Sequence, residues 1–513
     1  MTSHRSGWIL ALLMLGALVA VPLRVRATPV EESTAREIAG AFLESPAAVA
    51  QSRGACEGVA SSAEPAARRP AVVACRSLIA DGRTLAHVLR LEPCGYVVVP
   101  GDDGLPPVLA YSFEADYPVE GRVGDPLIDL VVADVRSRLA ALPMIDPSIR
   151  AAWRRGWIEL ARGEVRSAER FEQWPPAGST PTGGWLLTNW TQNAPYNNLC
   201  PLDLAHGGVR SVAGCPAVAM AMILNYHATV QETSFDTGDR YFHNYAGNAY
   251  WIPDAAVQYG FPSFPTLNAC LETLTLHWDE ETPLTNTDKA ALVFACGTAA
   301  RQVYSAAGSG TFGVDQAFTA YQRFSFAACR LADETDPNLY LDLATQMQNA
   351  WPAHLAVVDP GWTMGHNLVI DGYNSDGYFH LNFGWGGSYN GWYLLPEGIP
   401  YGLTVIEGVI LDILPAATAT PDLDEASVSS VLRSDPNPFG PRVDVSFVAP
   451  QQGHARLGIY DVAGRLQALV LDEDVEKGMH ASRWTSGSLP AGVYWLRLDF
   501  GGRSRTKRLV LAR

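Results

Sequence analysis

The sequence predicts an α+β protein built from separate modules, and three observations carry that reading. Two stretches rich in Pro, Gly, Ala, Ser and Thr, residues 172–184 and 415–430, interrupt a chain of 513 residues that is too long for one core. Between them, a helical first half gives way to short strand-like runs such as "AHLAVVD", "GHNLVIDGY" and "GYFHLNFG", the pattern of an antiparallel sheet. Beyond the second stretch, six or seven short alternating runs recur at roughly ten-residue spacing, as in a β-sandwich.

Taken in order, residues 1–27 read as a signal peptide. Arg5 precedes an apolar run from Trp8 to Leu23, and Val25-Arg26-Ala27 sets small residues at the −3 and −1 positions of a cleavage site. The run is short for crossing a bilayer, so the expected product is secreted or held at the cell surface, not an integral membrane protein. Residues 28–171 read as a small α+β domain. "EESTAREIAGAFLES" has helical spacing, "AVVACRSLIA", "TLAHVLRLE" and "GYVVVPGDD" alternate like strands, and "PLIDLVVADVRSRLAAL" and "IRAAWRRGWIELARG" are amphipathic. Residues 172–184 read as an exposed linker, 185–414 as the central domain, 415–430 as a second linker and 431–513 as the sandwich.

Composition narrows the function. At 48% hydrophobic and 18% charged the chain is globular, and a net charge of −16 argues against nucleic acid and anionic membranes as partners. Residues 184–412 carry 21 Asp/Glu against 6 Lys/Arg, whereas Phe500–Arg513 hold five basic residues and no acid. The eight cysteines show no CxxC spacing, which removes the usual zinc and thioredoxin-like patterns. Export permits disulfides, and Cys56, Cys75 and Cys94 are the candidates for a bridge. His206, His227, His243, His277, His354 and His380 show no HExxH-type spacing and read as core or surface histidines. Asp371 reads as a turn residue. No metal or organic cofactor is expected.

The chemistry centres on "SVAGCPAVAMAMILNYH", residues 211–227. A cysteine nucleophile works as its thiolate, and a helix N-terminus and a nearby imidazolium both favour that form. Gly214 permits close approach, Pro216 suits a first helical turn, and Cys215 would sit where the helix dipole favours a negative sulfur. His366 follows Gly365 at the start of a strand and is the candidate base. Asn382, on the next strand, is the candidate to orient its imidazole. Gln192, in "NWTQNAPYN", can offer an N–H to an oxyanion beside the Cys215 backbone N–H.

These blocks together resemble the streptopain-type cysteine peptidases of the papain-like group. "WTQNAPYNNLCP", "AGCPAVAMAMILNYH" and "GHNLVIDGYNSDGYFHLNFGWGG" occur in the family's order, after a propeptide-like "GYVVVPGDDGLPPVLAYS". The resemblance implies a papain-like fold, Cys215 as nucleophile, His366 as general base, Gln192 as oxyanion donor and Asn382 as histidine orienter. Gly214, Gly365, Phe383 and Trp385 would line the substrate cleft. Where the family usually has Trp after the Asn, this chain has Phe383, while Trp385 is kept in "GWGG". The resemblance also implies a zymogen: residues 28–171 would be an inhibitory propeptide, cut off near the linker, and the partners would be protein substrates and that propeptide. The C-terminal "DPNPFGPRVDVSFVAP" and "LPAGVYWLRL" resemble the sorting domain of bacterial type IX secretion cargo, which implies contact with export machinery. The alternative is a non-catalytic adhesin or glycan-binding protein on a peptidase-like fold.

Overall fold

A computed structural model describes residues 28–52, 69–117, 126–163, 171–358, 365–395, 405–415, 432–435, 439–449, 452–461, 465–476, 478–500 and 503–512. The expected signal peptide and almost all of the second linker lie outside the described residues.

The N-terminal module begins with a helix, Glu32–Leu43, whose Ala35, Ile38, Ala39 and Phe42 are buried at the spacing of one helical face. That face covers strands Ala71–Ala80, Arg83–Glu92 and Tyr96–Pro100, joined as an antiparallel meander. Strand Ala110–Ser112 follows, and helices Pro126–Ala141 and Pro147–Ala161 complete the module. Cys94 is disulfide-bonded, while Cys75 is a free thiol.

The central module has the expected two halves. Its helical half contains Cys215–His227, Phe264–Asp279 and Asn286–Ala299, packed on one another. Ser263 and Thr285 cap the latter two through hydroxyl oxygens that accept first-turn backbone N–H groups. The other half is an antiparallel sheet running through Gly391–Leu394, Tyr378–Asn382, Gly365–Asn374, Ala353–Val358, Val405–Leu411 and Arg330–Ala332. Helix and sheet meet where Cys215–His227 packs on Gly365–Asn374.

The sheets of the two modules are one. Tyr111 pairs with Trp392 and Ala110 with Tyr393, making a single 11-stranded sheet that runs from the N-terminal meander to the far edge of the central module. The buried Tyr96 hydroxyl donates to the Tyr389 carbonyl at 2.8 Å, and Arg138 donates to the Leu394 carbonyl at 2.7 Å.

The segment 172–184 departs from expectation. Instead of an exposed linker, Gln173–Trp174 pairs with Tyr373–Asn374 as an extra strand, and Thr182, Gly183 and Gly184 are buried. The cause is Asp371, which is no turn residue: it is fully buried in its strand. Its backbone carbonyl accepts from Trp185 N–H at 2.6 Å, and its carboxylate accepts from Leu186 N–H at 3.0 Å and bonds His380 Nδ1 at 2.6 Å. A buried carboxylate needs such partners, and they fold the entry of the central module inward. Residues 176–181 stay partly exposed.

Residues from Leu432 onward form two antiparallel sheets of three and four strands. Val443, Val445, Phe447, Leu457, Ile459, Leu496 and Leu498 fill the core between them.

Candidate active site

The Cys215 helix is hydrophobic all round, with every residue from Pro216 to Leu224 buried, so it is held on all sides. Its first residue, Cys215, keeps partial contact with solvent, as do Asn225 and His227 near its far end. Gly214 precedes it at φ 85°, ψ 133°, a backbone conformation that side-chain-bearing residues rarely adopt. A Cβ there would lie 2.6 Å from Gln302 Oε1. Gln302 is itself buried and donates from Nε2 to the Ala213 carbonyl at 2.8 Å, so glycine is what lets the chain turn tightly into the helix.

Gln192 is brought to this turn. Ala213 N–H donates to its backbone carbonyl at 2.8 Å, which places a partly exposed Gln192 alongside the residues leading into Cys215. From the sheet side, the Cys215–His227 helix packs on the strand Gly365–Asn374, which carries His366.

His366 is buried in the mouth of its strand. Its Nε2 lies 2.8 Å from the Phe383 carbonyl, so Nε2 carries the proton and Nδ1 is the basic nitrogen of the neutral ring. Trp385 packs on the ring at 4.5 Å between centroids, and the Phe383 ring lies parallel to it at 6.1 Å. Asn382 is therefore not the hydrogen-bond partner of His366. Its side chain donates to the Thr188 carbonyl at 3.3 Å and to Asn189 Oδ1 at 3.4 Å, and accepts from Gly384 N–H at 3.2 Å. Asn382 shapes the loop, and the carbonyl of the next residue holds the imidazole. Phe383 thus serves the site through its backbone, where Phe and Trp are equivalent.

The electrostatics also differ from the sequence expectation. The sulfur is packed among buried groups, and that burial pushes the Cys215 thiol up to about 11; the Asn367 and Cys215 donors pull it down but are outweighed. Burial likewise pushes His366 down to about 4, against the stabilising bond to the Phe383 carbonyl. Burial therefore favours neutral thiol and neutral imidazole for this pair. The N-terminal module reaches the imidazole through aromatic contacts: Tyr117 packs on Tyr389 at 4.8 Å, Tyr389 on Trp385 at 5.8 Å, and Trp385 on His366.

Three functional neighbours were not found by sequence reasoning: Asn367, His354 and the Phe383 carbonyl. His354, read as an ordinary core histidine, bonds Asn367 Oδ1 at 2.7 Å. The available signal for His354 was a polar residue inside the otherwise apolar strand Ala353–Val358, which demands a partner.

A thiol at a helix N-terminus, faced by an antiparallel sheet that presents a histidine of fixed tautomer, defines a cysteine peptidase domain of papain-like architecture. Residues 190–393 match the peptidase C10 family and residues 27–130 the Spi protease inhibitor family. Residues 190–393 thus carry a peptidase C10 domain, that of the streptopain-type cysteine peptidases. The chain is 25% identical over 357 residues to the thiol protease/hemagglutinin PrtT of Porphyromonas gingivalis, covering 65% of this chain and 37% of that protein. It is 22% identical over 344 residues to streptopain of Streptococcus pyogenes, covering 62% of this chain and 75% of streptopain. Among solved structures, a prointerpain A fragment of Prevotella intermedia aligns with a TM-score of 0.45 at 18% identity, over 68% of this chain and 99% of the fragment.

Proposed function

We propose that this chain is a secreted cysteine endopeptidase made as a zymogen. The observation that carries the reading is that Gln192 is bonded to the turn leading into Cys215 while the Cys215 helix packs on the strand that carries His366.

In the proposed cycle, His366 Nδ1 takes the Cys215 proton as the sulfur attacks the scissile carbonyl. The new oxyanion is held by the Gln192 side-chain amide and the Cys215 backbone N–H. His366 then gives its proton to the leaving amine, which departs as the Cys215 thioester remains. It next takes a proton from water, and the resulting hydroxide hydrolyses the thioester to release the acid and regenerate the thiol. The Phe383 carbonyl keeps the imidazole in the tautomer that this sequence needs and stabilises the transient imidazolium. Gly365 and Trp385 border the cleft.

Residues 28–171 act as an intramolecular inhibitor. The shared sheet, the Tyr96 and Arg138 hydrogen bonds and the aromatic path to Trp385 support that role. Cleavage falls in the partly exposed 176–181 stretch, upstream of the buried Thr182–Leu186. Residues 1–27 direct export, and the sandwich from 431 onward serves sorting or surface attachment. A Cys215→Ala chain that matured and hydrolysed casein as fast as the unaltered protein would refute the reading; the expected result is an unprocessed, inactive chain.

A further inference from the structure

A carboxyl of the N-terminal module and a histidine of the central module meet at Gly183, and the proposed cycle uses neither. A Cβ on Gly183 would lie 3.2 Å from Glu114 Oε2 and 3.3 Å from His380 Nε2, so the two groups face each other across the bare glycine. One residue on, a Cβ on Gly184 would run into the Asp371 carboxylate. The buried strap 182–184 is thus clasped between the two modules, immediately downstream of the partly exposed 176–181 stretch.

His380 is fully buried, and its Nε2 has no hydrogen-bond partner among the described residues. Its Nδ1 lies 2.6 Å from Asp371 Oδ1. A carboxylate only accepts, so Nδ1 carries a proton and Nε2 of the neutral ring is a lone pair. An ionised Glu114 also only accepts. Two acceptors turned to one buried glycine leave each other unsatisfied, and a single proton between them makes them partners, whichever of the two holds it. The other titratable groups around the pair are Asp371 behind the imidazole, the Tyr96 phenol, which feels the Glu114 charge, and Asp116, whose Oδ1 accepts from Gly95 N–H at 3.2 Å. Trp392 meets the imidazole edge-on at 5.3 Å and brings no charge. None of these neighbours supplies a cation in place of the proton.

We propose that Glu114 and His380 share one proton as a latch holding the N-terminal module on the peptidase domain, and that the latch opens as pH rises and the proton is lost. This rests on the reading of residues 28–171 as an inhibitory module. Burial raises the Glu114 carboxyl above its ordinary value of 4.5, outweighing the pull of His380 and of the Phe113 N–H. The docked chain therefore binds a proton that the released module gives up. Docking is strongest below about pH 4.5 and weakens as pH rises through the raised value. The zymogen is tight in acid and loosens toward neutral pH, where the strap and the stretch before it become open to cleavage.

The test is backbone hydrogen exchange in the full-length Cys215→Ala chain, where self-processing is blocked. The readout is protection of peptides containing Ala110–Ser112 and Gly391–Leu394, whose strands pair across the junction, relative to the unfolded peptides at the same pH. Protection falls about tenfold between about pH 5 and about pH 8, the worth of one hydrogen bond involving a charged group. Adding Glu114→Gln sets a permanent N–H against Nε2, and protection stays high and flat. Adding Glu114→Ala removes the partner, and protection is low and flat. Protection that does not fall with pH when Glu114 is present, or that falls equally in Glu114→Gln, overturns the proposal. So does Glu114→Gln with low protection at every pH, the mark of a fixed ion pair with a charged imidazole. Exchange requires no catalysis, so these outcomes are separate from failure of the inhibitor reading, which casein hydrolysis before and after loss of residues 28–171 decides.

Discussion

Gly214→Ala tests how the site is built at its narrowest point. The substitution adds one carbon, and that carbon meets Gln302 Oε1, Nε2 and Cδ at 2.6, 2.7 and 2.8 Å. Gln302 is a buried side chain bonded to the Ala213 carbonyl, not a flexible surface group able to yield. Holding alanine at φ 85° costs about 1–3 kcal/mol. Losing the buried Gln302 bond costs about another 1 kcal/mol. The expected total is about 3 kcal/mol, which for a unit of this size lowers Tm by about 6 °C or more. If the helix start relaxes instead, the sulfur shifts, and a displacement near 1 Å costs about 100-fold in turnover. Differential scanning calorimetry of the full chain and kcat/KM of the processed enzyme read the two outcomes. A Gly214→Ala protein with unchanged Tm and unchanged kcat/KM would refute the argument that glycine is required here.

Three further outcomes follow from named contacts. Asp371→Ala leaves His380 and the Leu186 N–H without their buried partner and destabilises the fold by about 3 kcal/mol or more, read by urea denaturation. Arg138→Leu removes a charge-assisted bond to the Leu394 carbonyl across the joined sheet, and full-length chain then loses its N-terminal module faster in a processing time course. His354 and His366 are held near pH 4 in the folded state against about 6.5 unfolded, so between these values the unfolded chain binds more protons. Stability is therefore full above about pH 6.5 and falls as pH drops toward 4, by about 3 kcal/mol per histidine, and His354→Gln flattens that dependence in thermal unfolding of a Cys215→Ala chain.

Much of the architecture was legible because it is written in periodicity. The meander after Ala71, the all-apolar helix after Cys215 and the strand spacing after Leu432 each follow from local pattern. Gln192 and Cys215 were legible as a pair because short motifs mark them, and the backbone bond between Ala213 and Gln192 puts them side by side. What escaped was decided by partners distant in sequence. The orienting acceptor for His366 is a backbone carbonyl, which leaves no residue-type signature, so an Asn one position earlier drew the assignment. The stretch 172–184 looked exposed by composition, yet Asp371, 187 residues beyond Gly184, draws its end into the core. The thiol was expected to be lowered by the helix end, but burial, which is set by the packing around it, pushes it up.

The central claim is that Cys215 is the nucleophile of a peptidase. Processed protein treated with the peptidyl epoxide E-64 should gain one covalent adduct, mapped by peptide mass spectrometry to Cys215, with casein hydrolysis lost in the same proportion. An adduct absent from Cys215, or hydrolysis that persists after Cys215 is fully labelled, would contradict the account.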